Sequence, residues 1–421
     1  MSLLFTLLVL TCAFVVDQVS TEEDKAVSYS GYQVWRITAL SKEEHQAVLK
    51  MIEHFGLELW RWQESQTINT PIDVLVPPQS QIKVKQQLDE ANISFVVKVA
   101  DLQEDINDEN PNLNASSYNT KAAHRMDWMS YHRLDDIYGY LNYLADTYPN
   151  IVQLINIGAS YENRTLYVVR ISNSSKPDTQ PAVWIDGGFH AREWITHALA
   201  TYIIQQLVEE PANAKLLFNI DWYIMPVVNP DGYEYSHVIN RLWRRSRSNT
   251  GSRRCQGVDL NRNFDFKWGG PGSSNNPCAD TFKGSKAFSE PEAVAYSKFI
   301  KSKSNQIKLY LSLHSYGQLI LLPWGYEREY PSDYNETLAL ANLAASKFRA
   351  FSYRVGTTVD LLYRASGNSA DWAKSIGIKY VYTVELPIRG FVLPASFILP
   401  VSKDFFPALD VLASKISTIP H

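Results

Sequence analysis

His190 and Glu193 stand three residues apart, directly after an apolar run, Ala182-Val-Trp-Ile-Asp-Gly187-Gly188-Phe189, that reads as a strand ending in a double-glycine turn. An imidazole and a carboxylate so placed can supply two ligands of a catalytic zinc ion, which keeps three protein ligands and leaves its fourth position to water. The third ligand has to come from elsewhere. His314 is the best candidate, because it closes a second apolar run, Lys308-Leu-Tyr-Leu-Ser-Leu313. A third run, Tyr380-Val-Tyr-Thr-Val384, ends on Glu385. Three strands would thus deliver His, His and Glu at their carboxyl ends, where open α/β sheets assemble their sites. A short His-x-x-Glu is common by chance, but two further clusters, Arg241-Leu-Trp-Arg244 and Asp259-Leu-Asn261-Arg262, follow in an order that completes one chemistry.

Elements able to hold such residues need a full-size core, and 421 residues at 45% hydrophobic content allow one, divided into a small and a large domain. The formal charge of -4 argues against a nucleic-acid partner. Its distribution is uneven: residues 22–125 carry 16 acids and 10 bases, residues 126–421 carry 27 acids and 30 bases. An acidic leader before a mildly basic body suits two parts that dock.

Residues 3–16 form an apolar run at the N-terminus, too short to span a bilayer, and read as a secretory signal (1–20) removed near residues 16–20. No membrane anchor is expected elsewhere. With Cys12 in that signal, Cys255 and Cys278 remain, and in an oxidising compartment they are expected to pair. Glycan acceptor sequons at Asn92, Asn114, Asn163, Asn173 and Asn335 are compatible with the same route.

Between the signal and residue 105 the pattern is βαββαβ, the order of a ferredoxin-like unit. Tyr32–Thr38 alternates as a strand, and Ser41-Lys-Glu-Glu44 is a capping box before a helix with Val48, Leu49, Ile52 and Phe55. Strands at 57–62 and 72–76, a helix at 80–90 and a strand at 93–99 complete the unit. An acidic stretch from Asp101 to Glu109 and a Pro, Asn and Ser-rich segment then read as a connector, 106–125, ending on Lys121 and Arg125. From residue 126 strands alternate with helices: helices at 134–148, 194–209, 291–301, 336–351 and 403–416, strands at 183–186, 219–226, 308–313 and 378–384. That alternation predicts an α/β domain with a mixed, twisted central sheet flanked by helices.

Read as a whole, the chain resembles the secreted zinc procarboxypeptidases of the carboxypeptidase A/B family. The resemblance rests on Gly187-Gly-Phe-His-Ala-Arg-Glu-Trp-Ile-Thr, Asn229-Pro-Asp-Gly-Tyr, Asn240-Arg-Leu-Trp-Arg, Gly257-Val-Asp-Leu-Asn-Arg-Asn-Phe, Leu313-His-Ser-Tyr, Ser366-Gly-Asn-Ser-Ala-Asp-Trp and Thr383-Val-Glu-Leu, in that order. It implies one zinc per chain on His190, Glu193 and His314, the two-His, one-Glu set for which carboxypeptidase A is known. It makes Glu385 the general base, Arg244 the oxyanion partner and Asp259 the carboxylate that orients a zinc-bound imidazole. Asn261 and Arg262 become a clamp for a free carboxylate, with Tyr363 closing over it, and Arg192, Tyr316 and Phe391 further substrate contacts. Arg241 fits either an outer substrate contact or a solvated cation. Ala370 falls at the pocket floor, and an uncharged floor favours apolar or aromatic C-terminal residues over Lys or Arg.

The resemblance also implies a secreted, monomeric zymogen whose partners are peptide or protein C-termini, its own propeptide and a trypsin-like protease cutting after Arg125. The chain departs from the family in a shorter run after Leu386, Pro387-Ile388-Arg389-Gly390-Phe391, in Asn368 where glycine is common, and in Lys283 where His or Cys is usual. A zinc protein that only captures C-terminal tails, or a zinc amidohydrolase acting on small acyl amino acids, would share the metal ligands. The former would be expected to lack Glu385 or Arg244, and the latter has no need of the leader.

Overall fold

An interior strand buried along its whole length, residues 72–76, anchors the first sheet. The computed structural model describes residues 25–60, 71–111, 124–174, 179–387 and 390–419. The expected signal, Asn114, Lys121, residues 61–62 of the strand expected at 57–62, and residues 388–389 lie outside the described residues. Strands β1 (Gln33–Thr38), β2 (Glu58–Leu59), β3 (Ile72–Val76) and β4 (Ser94–Val99) form an antiparallel sheet in the order β2-β3-β1-β4. Helices α1 (Lys42–Phe55) and α2 (Gln81–Glu90) cover one face, burying Val48, Met51, Ile52, Val84 and Leu88 against Trp35, Ile37, Val74 and Val76. Half of the capping box forms as expected, with Ser41 accepting from the Glu44 N–H at 3.1 Å, while Glu44 reaches one residue past the N-cap and accepts from the Leu40 N–H at 2.7 Å.

The acidic stretch expected to begin the connector is instead a helix, α3 (Leu102–Glu109). Asp101 caps it by accepting from the Gln103 N–H, and Glu104 and Asp105 sit in the first turn, where the helix dipole favours negative charge. The helix therefore runs through the expected boundary at 105/106 and ends on a buried residue, Glu109.

The larger part contains an eight-stranded sheet in the order β11-β10-β12-β9-β7-β8-β6-β5. Its strands are β5 (Val152–Ala159), β6 (Thr165–Ile171), β7 (Ala182–Gly187), β8 (Asp221–Met225), β9 (Ile307–Ser315), β10 (Leu319–Leu322), β11 (Arg354–Thr357) and β12 (Tyr380–Leu386). The central neighbours β12, β9, β7 and β8 run parallel, whereas β5 and β6 pair antiparallel at one edge. Its helices are α4 (Leu134–Thr147), α5 (Trp194–Val208), α6 (Pro230–Val238), α7 (Pro291–Lys303), α8 (Tyr334–Ala345), α9 (Thr358–Leu361), α10 (Ser369–Ser375) and α11 (Ile398–Ile416).

The side-chain period of two divides β9 from Leu309 onward, after an irregular pairing that turns Ile307 to the other face. Leu309, Leu311 and Leu313 face a core shared with α4, α5, α8 and α11, while Tyr310 faces a second core with α7 and α10. Each such leucine stabilises the fold by roughly 1.5–3 kcal/mol through burial. His314 takes the same parity as Tyr310.

Cys255 and Cys278 are joined, closing a 23-residue separation in the loop region that also carries Asp259 and Arg262. Replacing both by Ser is expected to cost roughly 3 kcal/mol, from the chain entropy of a loop this long. Denaturant titration of both proteins measures the loss, and an unchanged midpoint would remove the disulfide from the stability account.

Candidate active site

Backbone register brings the three strand ends together. Gly187 pairs with Leu313 across β7 and β9, and His314 pairs with Glu385 across β9 and β12. After β7 the chain turns at Gly188, whose φ is +76; a Cβ there would lie 1.8 Å from the His197 ring, so only glycine fits. The turn delivers His190 and then places Glu193 at the N-cap of α5, where the helix dipole favours its charge.

His190, Glu193 and His314 are buried, and their ligand atoms converge within 4.8 Å of one another. His190 Nδ1 lies 2.8 Å from Glu193 Oε1 and 3.1 Å from His314 Nδ1, which is 3.2 Å from Glu193 Oε2. The Ser315 N–H fixes Glu193 Oε2 at 3.1 Å. Asp259 Oδ1 is 3.2 Å from His190 Nε2 and accepts its N–H, which leaves Nδ1 as a lone-pair donor. Two imidazole nitrogens and a carboxylate crowded this closely fit a divalent cation, which takes up all three lone pairs, and the N/O donor set suits zinc.

Burial opposes charge on Glu193, but the two imidazoles outweigh it and hold the carboxyl below its ordinary range. Burial, helped by Arg244, pushes His190 down, toward the neutral form a ligand needs. Burial opposes charge on His314 too, but Glu193 outweighs it and raises its pKa, so a cation binding there has to displace a proton. Asp259 also stays ionised despite burial, because Arg244, His190 and Arg262 surround it. It accepts from Arg244 Nη2 at 2.9 Å and from the Asn261 N–H at 3.0 Å, so one carboxylate orients a ligand, a guanidinium and the next turn.

A cavity of about 300 Å³ opens on His190 and Glu193, with His314 buried behind them. Among the residues expected at the site, His190, Arg192, Glu193, Arg244, Arg262, Tyr316, Tyr363, Glu385 and Phe391 line it. Arg262 is 2% exposed; Nε donates to Gly272 O and Nη1 to Asn261 O, while Nη2 has no partner among the described residues. Its guanidinium lies 5.7 Å from the Tyr363 ring. Asn261 Oδ1 accepts from the Ser369 N–H, and its Nδ2 stands 3.3 Å from His314 Nε2. Ala370 does not line the cavity. It is buried at the start of α10, in the core with Leu260, Phe264 and Trp372.

Arg241 is neither solvated nor on the cavity wall. It is buried and makes a two-pronged pair with Glu109 at the end of α3, Nε to Oε2 and Nη2 to Oε1, both 2.6 Å. Nη1 donates to Arg192 O and Nη2 to Phe391 O, the guanidinium lies 3.7 Å over Trp194, and Glu109 also accepts from the Leu393 N–H. Leu59 and Trp60, at the end of β2, line the cavity as well. Trp60 packs edge-on to Phe391 at 5.5 Å, and a Cβ on Gly390 would approach its indole to 3.0 Å. The leading domain thus reaches the cleft through Trp60 and grips its rim through Glu109.

Sequence reasoning missed Glu109 and Trp60, since neither an acid in an acidic stretch nor an aromatic in a strand marks a docking contact. It also missed Asp186, which Ser312, Trp184 and Tyr296 hold in the sheet beneath His314. Asp186 did leave a signal, a lone carboxylate inside a wholly buried strand.

Comparison with known proteins agrees with this geometry. Residues 137–408 match the family model described as zinc carboxypeptidase, and residues 35–109 the one described as carboxypeptidase activation peptide. Mus musculus carboxypeptidase A1 is 36% identical over 394 residues, 91% of this chain and 93% of the relative, and Homo sapiens carboxypeptidase A1 is 37% identical over 398 residues, 90% and 93%. Among solved structures, the carboxypeptidase A of Helicoverpa armigera superposes with a TM-score of 0.84 at 29% identity, covering 92% of this chain and 98% of that one. Thrombin activatable fibrinolysis inhibitor superposes with 0.83 at 32% identity, covering 91% and 98%. The chain belongs to the zinc carboxypeptidase family, hydrolases of C-terminal peptide bonds, and carries the family's activation peptide ahead of its catalytic domain.

Proposed function

We propose that this carboxypeptidase is a secreted monomeric zymogen, divided into signal (1–20), propeptide extended through α3 (21–109), connector (110–125) and catalytic domain (126–421). On this reading a trypsin-like protease cuts after Arg125, which is exposed, and the enzyme then releases apolar or aromatic residues from peptide and protein C-termini. The observation that carries the reading is one cavity lined by His190 and Glu193 of the triad, Glu385, Arg244 and Arg262, whose Nη2 has no partner among the described residues, with Trp60 of the leading domain on its wall. Among the described residues no helix is long and apolar enough to cross a membrane.

His190, Glu193 and His314 would hold the zinc, which when bound supplies a Lewis acid for the scissile carbonyl and lowers the pKa of an attacking water. Glu385 accepts that water's proton and passes it to the leaving amine. Arg244, kept charged by Asp259, faces the oxygen on which negative charge develops. Arg262 Nη2 and an amide N–H of Asn261 take the substrate's free carboxylate, and Tyr363 closes over it. Arg192, Tyr316 and Phe391 contact residues upstream of the cut bond, with Arg241 behind them. Asp259→Asn is expected to weaken zinc affinity by about 10–100-fold, since it unsettles the His190 tautomer. Competition with a chelator measures this, and an unchanged affinity would deny Asp259 that role.

The preference is drawn from the family resemblance at the uncharged Ala370, which lies behind the cavity wall, and from the commitment of its neighbour. Asp371, pushed up by burial to about 7, accepts from the Gly325 and Tyr326 N–H groups and does not offer its carboxylate to a substrate cation. Ala370→Asp is expected to raise kcat/KM for C-terminal Arg relative to Phe by at least about tenfold. The test is a set of peptides differing only in the last residue, free or blocked at the C-terminus, after mild tryptic treatment. Parental release of Arg faster than Phe would overturn the preference; hydrolysis of blocked peptides would overturn the carboxylate clamp.

A further inference from the structure

The leading domain's sheet has one open edge. On its far side β2 is two residues long and runs straight into the cleft with Trp60. At the other end β4 pairs only with β1, a bulge at Lys98 interrupts that ladder near its end, and among the described residues no strand covers the outer side of the regular part, Ser94–Val97. The strand reads Ser94-Phe-Val-Val-Lys-Val99, with Val96 56% and Val97 46% exposed and Lys98 as its single charge. An uncovered edge with exposed β-branched residues, no proline and little charge is a template for pairing with another chain. The edge strand of the catalytic sheet, β5, poses no such hazard, because its exposed residues are Gln153, Asn156 and Ala159.

Asn92 lies two residues before β4, in the turn that leaves α2. Its φ is +54, a left-handed conformation that asparagine tolerates well, and it is exposed. Ile93 is buried and Ser94 is exposed, so Asn92-Ile93-Ser94 presents both acceptor groups outward at the foot of the open edge. We propose that Asn92 carries an N-linked glycan that covers the edge of β4. A glycan is bulky and hydrophilic and needs no contact with the cleft. In the transfer, Asn92 Nδ2 bonds to the anomeric carbon of a lipid-diphosphate-linked oligosaccharide. The anomeric bond to the diphosphate breaks, and one amide proton leaves with it. The inference rests on the secretory reading given above.

The test expresses the full chain in a secretory eukaryotic host, beside Ser94→Ala, which removes the acceptor motif but keeps Asn92 in its turn, and Ser94→Thr, which restores it. Mass mapping of Asn92 after glycosidase treatment and sedimentation velocity are the readouts. The expected result is a modified Asn92 in the parent and in Ser94→Thr. Ser94→Ala is expected to lack the modification and to self-associate at a concentration at least about tenfold lower, which corresponds to about 1.4 kcal/mol. Secreted parent protein with bare Asn92 would overturn the site. A modified parent whose Ser94→Ala variant stays equally dispersed would overturn the shielding role. Protein retained in the cell and bare at every sequon would overturn the secretory reading as well, and its absence from the medium tells that case apart.

Discussion

Glu385→Gln is expected to lower kcat by about 10²–10⁴-fold while zinc content and melting temperature stay at parental values. The substitution keeps volume and shape and removes only the group able to carry a proton. Glu385 sits on β12 in register with His314 on β9, so the strand pairing that places the base is the pairing that places a ligand. It lines the cavity at 9% exposure and is not one of the three converging ligand atoms, so metal affinity should not follow its charge closely. The measurement is metal content beside single-turnover hydrolysis on protein freed of its leading domain. Because the loss belongs to the chemical step, KM should move far less than kcat. Substantial turnover by the zinc-loaded variant would falsify the assignment of Glu385 as base.

The central site was legible in sequence because parallel strands buried on both faces are continuous apolar runs, and a polar residue at the end of such a run is conspicuous. His314 and Glu385 stand out for this reason, and so does His190 after its double glycine. The β5–β6 hairpin was not anticipated. Strand β5 buries little, and its turn is closed by Asn163 in a left-handed conformation that no Gly or Pro announces. Helix α11 begins at Ile398, five residues before the expected start at Lys403, and it contains Pro400 and Pro407. Pro400 falls in its first turn, where the missing N–H costs no helical bond. Helix α3 was hidden by its acidity: only Leu102 and Glu109 are buried, so no apolar stripe betrays it. Arg241 could not be placed at all, since its partner lies 132 residues away in another domain.

That partner carries the last expectation. Glu109→Gln is expected to loosen the leading domain's hold on the cleft and leave the mature enzyme unchanged, because Glu109 departs with the propeptide. Burial pushes the Glu109 carboxyl up while Arg241 pulls it back, so the pair is held by geometry and contact more than by surplus charge energy. Removing one partner of a buried pair still costs about 3–5 kcal/mol, because the other charge is left desolvated and unmatched. Here Arg241 would keep only neutral acceptors, Arg192 O, Phe391 O and the single amide oxygen left by Glu109→Gln, and the Leu393 N–H would lose charge assistance.

If the cost falls on docking, the undocked fraction of intact zymogen rises by about 10²–10⁴-fold. Trp60 in the cavity and Asn110, which exchanges two hydrogen bonds with the Tyr131 backbone, still favour the docked state. The measurement uses a zymogen made resistant to trypsin by Lys121→Gln and Arg125→Gln, with and without Glu109→Gln, on a short peptide substrate. Basal hydrolysis should be low in the resistant parent and rise with Glu109→Gln, while trypsin-treated cleavable forms should match each other. An uncleaved resistant parent as active as the trypsin-treated protein would make the leading domain a folding aid and not an inhibitor. Unchanged basal activity in Glu109→Gln would leave inhibition to Trp60 and the rest of the docked surface.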